Sequence, residues 1–327
     1  MKSLALLGAL VVGAAFGYGA QRGAFCMNSG FRGAIEGDWT KVKALALAVA
    51  VQLLVLPAAF ATGLARTAHL PLMPLAAVAG GVVFGLSMRW AGGCAAGVWY
   101  KLGAGDLGAL LAVLGMALGA TASDSGPLRT VRAALQESVP TAASWAPAPL
   151  VSVAAGLLAL AFLARLPGGR AGAWTWRRTG LWVGVTAAAA WPVSAVGGRD
   201  FGLAIIPGTT GLLSGVAGDL FPAWDGVLVL GVLGGGWLAA RRNGPVVLNA
   251  PKPAALLKRF AGGLGLGIGG SVATGCTVGQ GLSGLALLAP SSFVVMGAIF
   301  GGSAVATLAA RRLEMGSSRM VPSSPSR

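Results

Sequence analysis

The sequence predicts an all-α protein that crosses a membrane several times. Hydrophobic residues make up 55% of the 327 residues and charged residues only 10%, against about 25% charged residues in a soluble domain. So few charges cannot cover a soluble surface of this size, and so apolar a chain is not disordered. The 54 glycines exceed twice the usual share of about 7%, which is typical of closely packed membrane helices and of irregular loops that line a cavity.

Apolar runs define the predicted spans, because a membrane helix needs about 20 mostly apolar residues. We expect about nine transmembrane helices, at roughly 3–21, 42–65, 73–90, 105–122, 148–166, 179–197, 225–240, 258–273 and 291–310. The first run lacks a clear signal-peptide cleavage site, so we expect it to be retained as a helix. The polar segment 123–147 predicts a surface connection, and the Ser/Pro/Arg-rich residues 313–327 predict a disordered tail.

An internal repeat relates the two halves of the chain. A shift of 182 residues places Cys94 on Cys276 together with four glycine matches. The repeat carries the first span onto the sixth, and because five is an odd number, the halves would be inverted in the membrane. We therefore expect a single transmembrane domain over 1–312. Its parts are a first repeat, a linking region with one span and a second repeat, at about 1–122, 123–178 and 179–312.

Two glycine-rich segments follow predicted spans at corresponding places in the repeats, at 90–97 and 273–284. Each contains one cysteine. Irregular backbone at membrane depth is tolerated only where protein or water covers it. Both segments are therefore predicted to be re-entrant loops that dip into the membrane from opposite faces.

Basic residues predict the orientation. A net charge of +15 would indicate nucleic acid in a soluble protein, but here most basic residues flank apolar runs, so we expect no nucleic-acid partner. With strictly alternating spans, 19 of the 24 lysines and arginines fall on one side and 5 on the other. Because cytoplasmic loops carry the excess of positive charge, the N-terminus is predicted outside and the C-terminus in the cytoplasm.

Three cysteines, Cys26, Cys94 and Cys276, are the best candidates for chemistry. All nine carboxylates lie at or near connections or termini, which argues against an intramembrane proton relay or a hydrolytic carboxylate pair. No CxxC pair occurs, and the single His69 cannot complete a metal site, so no metal or cofactor is expected. A buried cysteine is often only a small hydrophobic residue. However, each of these three adjoins a glycine or a short connection, where free N–H groups at the start of a short helix could bind an anion.

Polar neighbours of the cysteines are candidates for supporting an anion path, although helix capping is the ordinary role of such residues. The candidates in the loops are Gly93, Gly275, Thr277, Gln280, Ser283 and Asn28. Three basic residues are candidates for an anion funnel, although the same charges could serve topology or bind lipid headgroups. They are Arg22, Arg89 and Lys101.

The cysteine motifs resemble those of one known family. The strings GGCAAG at 92–97 and TGCTVGQGLSG at 274–284, together with GAFC at 23–26, resemble the YeeE/YedE family of bacterial thiosulfate uptake transporters. The resemblance covers about 1–312. It implies an hourglass-like fold in the inner membrane, with loops that dip inward from both faces, and a transporter rather than an enzyme.

The resemblance also implies a mechanism. Thiosulfate would pass along Cys26, Cys94 and Cys276 through transient S–H···S hydrogen bonds, without covalent turnover. A small TusA-like sulfur carrier would be the partner at the cytoplasmic face, and the lipid bilayer would surround the protein. Two alternatives stay open: a transporter of another small sulfur or selenium anion, and a membrane thiol-redox protein. For the second we find no partner thiol, base or cofactor motif in the sequence.

Overall fold

The computed structural model describes residues 2–66, 70–137, 148–217 and 224–318. Within these ranges the structure is almost entirely helical, with one small antiparallel hairpin formed by Arg170–Ala171 and Trp174–Thr175. The predicted all-α class is therefore confirmed. Part of the predicted surface connection, 138–147, His69 and residues 319–327 of the predicted tail lie outside the described residues.

Helices occur at all nine predicted places, and shorter helices lie between some of them. In chain order they are α1 (Lys2–Arg22), α2 (Met27–Ile35), α3 (Thr40–Ala61), α4 (Pro74–Ala91), α5 (Ala95–Gly103), α6 (Leu107–Asp124), α7 (Arg129–Glu137), α8 (Pro149–Ala164), α9 (Trp176–Val196), α10 (Ile206–Ala217), α11 (Trp224–Arg241), α12 (Pro253–Val272) and α13 (Pro290–Ser318). A π-helix, Gly279–Gly284, and a short 3₁₀ turn, Leu285–Leu287, stand between α12 and α13.

Each of the nine predicted spans coincides with a helix, from α1 to α13. Six helical regions of the described chain are long and apolar enough to cross a membrane, namely those that contain α1, α3, α4, α6, α9 and α13. The helix α8 is apolar but has only 16 residues. The chain is thus a multi-pass membrane protein. Its last helix continues to Ser318, past the predicted start of the tail at 313.

Helix packing follows the sequence repeat. The helix α1 packs along α11, and their repeat counterparts α9 and α3 also pack along each other. In the same way α6 packs along α12, and their counterparts α13 and α4 form a second pair. The counterparts α4 and α12 contact each other at the centre. Each main helix pair of one half therefore has a matching pair when every helix is replaced by its counterpart in the predicted repeat. This is the pattern expected for two repeats related by a two-fold axis.

Glycine allows these helices to approach closely. A Cβ atom at Gly235 of α11 would lie 2.0 Å from the carbonyl oxygen of Ala14, and one at Gly13 of α1 would lie 2.1 Å from that of Leu228. These distances are far below van der Waals contact, so only glycine fits. Part of the glycine excess therefore serves helix packing, which in membranes depends on small residues.

Adjacent glycines on α11 provide a direct test of this packing. We expect Gly235→Ala to destabilise the protein by about 1–3 kcal/mol, because the added methyl group must displace the backbone of α1. Gly234→Ala should be neutral or stabilising by up to about 1 kcal/mol, because no atom lies within 4 Å of its added Cβ and alanine favours the helix. Thermal unfolding in detergent measures both, and equal transition temperatures would contradict the packing argument.

Candidate functional site

The three cysteines share one local geometry. Each follows a long helix, α1, α4 or α12, and comes just before a short one. Cys26 is the N-cap residue of α2, Cys94 is that of α5, and Cys276 precedes the π-helix by three residues. The residue two positions before each cysteine has a left-handed backbone, namely Ala24 (φ 46°), Gly92 (φ 75°) and Thr274 (φ 55°). This turn redirects the chain, so each thiol lies near the free N–H groups at the start of a short helical segment.

Cys26 and Cys94 form a buried pair of thiols. Their Sγ atoms are 3.8 Å apart, and the backbone N–H of Cys94 donates to Cys26 Sγ at 3.5 Å. Both side chains are at most 3% exposed. Gly97 makes room for the pair, because a Cβ atom there would lie 2.8 Å from Cys26 Sγ and 3.4 Å from Cys94 Sγ. The sequence shows no partner thiol for a redox pair, whereas in the structure the thiols of Cys26 and Cys94 are in contact.

Cys276 lies apart from this pair but is linked to it by its neighbour. Its sulfur accepts a hydrogen bond from the backbone N–H of Val278 at 3.4 Å. Thr277 is 1% exposed, and its side chain lies against Cys94. The Thr277 hydroxyl has no partner within hydrogen-bond geometry among the described residues. Cys276, Thr277, Cys94 and Cys26 therefore form a continuous run of weak donors.

One cavity, of about 440 Å³, reaches Cys276. We name it the Arg199 cavity. Its lining includes Asp124, Arg132, Arg199, Phe201, Asp225, Thr274, Gly275 and Cys276. Arg199 pairs with Asp225 at 2.7 Å, and Arg132 pairs with Asp124 at 3.0 Å. Burial lowers the pKa of Arg199, and the nearby Asp225 carboxylate acts in the opposite direction. Because both cations have acidic partners, the mouth of this cavity carries little net charge.

A second cavity, of about 380 Å³, is lined in part by the first turns of α2, the helix whose N-cap residue is Cys26. We name it the Lys101 cavity. Its lining residues are Asn28, Ser29, Arg32, Arg89, Gly92, Lys101 and Thr307. Three of them are basic and none is acidic, so the cavity favours anions. The Lys101 ammonium group donates to the carbonyl of Gly92 at 2.6 Å, which holds its charge over the turn that precedes Cys94.

The two cavities lie at opposite ends of the same helix. Arg89 and Gly92 of the Lys101 cavity stand at the C-terminal end of α4, whereas Leu70 of the Arg199 cavity precedes its N-terminal end. Cys276 lines the Arg199 cavity, whereas Cys26, Cys94 and Thr277 are buried and are not among the lining residues of either cavity.

The other predicted loop residues mainly hold the loops in place. Gln280 donates through Nε2 to the carbonyl of Thr274 at 3.2 Å and accepts from Ser292 at 2.6 Å. Ser283 donates to the carbonyl of Leu203 at 2.9 Å. Gly275 has φ 157° and lines the Arg199 cavity. Only glycine suits that position, since a Cβ would lie 2.8 Å from the Gln280 side chain.

The remaining candidate residues differ in whether they line the Lys101 cavity. Asn28, Arg89 and Lys101 line the Lys101 cavity. Gly93 packs against α5, where a Cβ would lie 3.2 Å from the backbone of Gly97. Arg22 instead donates to Asn243 at 2.6 Å and is not among the residues that line the cavity.

Sequence reasoning did not find two contributors to the site. The phenol of Tyr100 lies beside the Cys26 sulfur, and no sequence signal distinguished it from other membrane aromatics. Trp99 donates through Nε1 to Thr209 at 2.9 Å, which ties α5 to α10. The sequence repeat places Thr209 in the counterpart of the Cys26 loop, and this signal could have indicated the contact.

The fold and the site define a polytopic membrane protein with three buried thiols and two cavities at opposite ends of α4. The chain belongs to the sulphur transport family, which it matches over residues 22–305. It is 32% identical over 311 residues to the thiosulfate transporter TsuA of Spirochaeta thermophila, covering 87% of this chain and 93% of that protein. It is also 32% identical over 307 residues to the thiosulfate transporter TsuA of Escherichia coli, covering 85% and 86%. The predicted family resemblance is confirmed.

Proposed function

We propose that this chain is a transporter, not an enzyme, that carries thiosulfate inward across the bacterial inner membrane. One observation carries the proposal: buried thiols, and a buried hydroxyl without a partner among the described residues, lie close to two cavities at opposite ends of α4. Similarity to two proteins named thiosulfate transporters supports the choice of substrate.

The anion would travel from the Arg199 cavity to the Lys101 cavity. It would meet Cys276 first, then Thr277, and then the Cys94 and Cys26 pair. Thiosulfate carries two negative charges, so losing its water without replacement would be costly. Weak S–H and O–H donors replace that water in steps without creating a deep trap, as conduction requires. The basic Lys101 cavity then receives the anion.

The proposal includes an orientation in the membrane. The Lys101 cavity lies at the ends of α1 and α4 that carry Arg22 and Arg89, on the side predicted to be basic and cytoplasmic. The N-terminus would then be outside, and the two halves would be inverted repeats. The TusA-like sulfur carrier at the cytoplasmic face stays a prediction from the family resemblance.

Flux into proteoliposomes tests the function. Purified protein should take up radiolabelled thiosulfate well above protein-free vesicles. Sulfate should compete at least about tenfold less well, a difference of about 1.4 kcal/mol, because it lacks the terminal sulfur that soft thiol donors contact. Equal competition by sulfate would contradict the proposed substrate, and absence of flux under all ion gradients would contradict transport.

The same vesicles separate transport from thiol-redox chemistry. The masses of the alkylated cysteines after many turnovers should equal those before, because hydrogen bonding leaves the thiols unchanged. A stoichiometric loss of free thiols during turnover would instead favour a redox protein, for which the contact between Cys26 and Cys94 provides the geometry.

A further inference from the structure

The Cys26 and Cys94 pair has a chemical property beyond hydrogen bonding, since two thiols in contact can chelate a single atom. We propose that this dithiol binds trivalent arsenic, supplied as neutral arsenous acid, As(OH)₃. Binding is a property of the folded protein in detergent and does not rest on the proposed function.

The geometry favours a bridge over single-thiol attachment. The two Sγ atoms are 3.8 Å apart, so one atom bonded to both sulfurs requires little movement of either side chain. Gly97 adds no side chain to crowd the sulfurs, since a Cβ there would lie 2.8 Å from Cys26 Sγ and 3.4 Å from Cys94 Sγ. A second bond formed within the same site gains an effective concentration in the millimolar range, which strengthens chelation by about a hundredfold or more.

The chemistry is a condensation without any change of oxidation state. Each thiol sulfur forms one bond to arsenic, and one As–O bond breaks for each As–S bond formed. The two hydroxide groups leave as water with the two thiol protons, and arsenic keeps its third hydroxyl. No oxidant or reductant is needed, and thiolate sulfur is a soft ligand that prefers soft acceptors.

Access and selectivity follow from the surroundings. The Lys101 cavity includes Asn28 and Ser29 of α2, which lie two and three residues after the N-cap residue Cys26. A small neutral molecule enters such a site without the desolvation cost of an ion. Among the described residues no group of three or more histidine, cysteine or acidic side chains could hold a metal. The Cys26 and Cys94 pair is thus suited to an atom that binds two sulfurs, and Cys276 is not part of this pair.

The experiment uses the full-length protein in detergent with sodium arsenite and a phosphine reductant, which does not chelate arsenic as a dithiol would. After incubation the protein is denatured, free thiols are alkylated, and peptides are identified by mass. In the wild type, Cys26 and Cys94 should be protected together while Cys276 is alkylated. Intact-mass titration should show one arsenic per chain.

Single-thiol variants provide the matched comparison. Cys26→Ser and Cys94→Ser should each bind arsenite at least about a hundredfold more weakly, whereas Cys276→Ser should bind as the wild type does. Protection of all three cysteines alike, of Cys276 alone, or of none at millimolar arsenite would overturn the proposal. Because peptide mapping of the wild type suffices, a variant that fails to fold leaves the test intact.

Discussion

Gly97→Ala should lower thiosulfate uptake at least about tenfold, a loss of about 1.4 kcal/mol or more. The added Cβ would lie 2.8 Å from Cys26 Sγ and 3.4 Å from Cys94 Sγ, so it would occupy the space beside both sulfurs and push Cys26 from its position. Gly97 lies in the helix α5, where alanine is intrinsically favoured by about 1 kcal/mol. The variant should therefore fold while its thiol pair is obstructed. Uptake into proteoliposomes at matched protein density measures the effect.

A glycine without close neighbours provides the control for this variant. Gly301 of α13 has no atom within 4 Å of an added Cβ. Gly301→Ala should therefore transport as the wild type does. If Gly97→Ala and Gly301→Ala transport equally, the space beside the sulfurs has no part in uptake.

Cells that lack their other sulfate and thiosulfate uptake routes should fail to grow on thiosulfate with Cys94→Ala or Cys276→Ala. Alanine removes one thiol that would donate a hydrogen bond to the anion. At this buried position water cannot replace the lost hydrogen bond, so passage of the anion would become slower. Cys94→Ser keeps a donor of similar size and should restore partial growth. Growth rate on thiosulfate, compared with growth on cysteine as the sulfur source, is the measurement.

Expression is the main control for the cysteine series. The amount of each variant in the membrane fraction and its elution by size exclusion should match those of the wild type. Well-expressed alanine variants that grow at the wild-type rate would show that the thiols are small hydrophobic residues without a role in the path.

Composition and periodicity predicted most of the fold because membrane helices depend on long apolar runs. Those runs coincide with nine helices, and six helical regions of the described chain are long and apolar enough to cross a membrane. The cysteine motifs likewise located the turns after α4 and α12, where the chain leaves one helix and begins a shorter one. The sequence did not predict that α13 continues beyond residue 313. Its last turns are polar, and a polar C-terminal segment is typical of a disordered tail.

The contact between Cys26 and Cys94 could not be predicted, because 68 residues separate them and the sequence repeat pairs Cys94 with Cys276 instead. The direction in which each side chain points could not be predicted from the sequence either. Gln280 and Ser283 belong to the motif, yet both bind the loop backbone rather than the cavity. Spacing along the chain shows which residues share a loop, but it does not show which way each one points.

The two cavities have a consequence for where the membrane voltage acts on the proposed path. With water and ions in each cavity at the potential of the adjoining solution, most of the voltage would fall across the buried segment from Cys276 to Cys26. For a dianion moving toward a negative interior, that step is opposed by about 4.6 kcal/mol per 100 mV, at about 2.3 kcal/mol per charge. Inward accumulation therefore requires an energy source beyond the passage itself, either a cotransported cation or rapid chemical consumption of the anion in the cytoplasm.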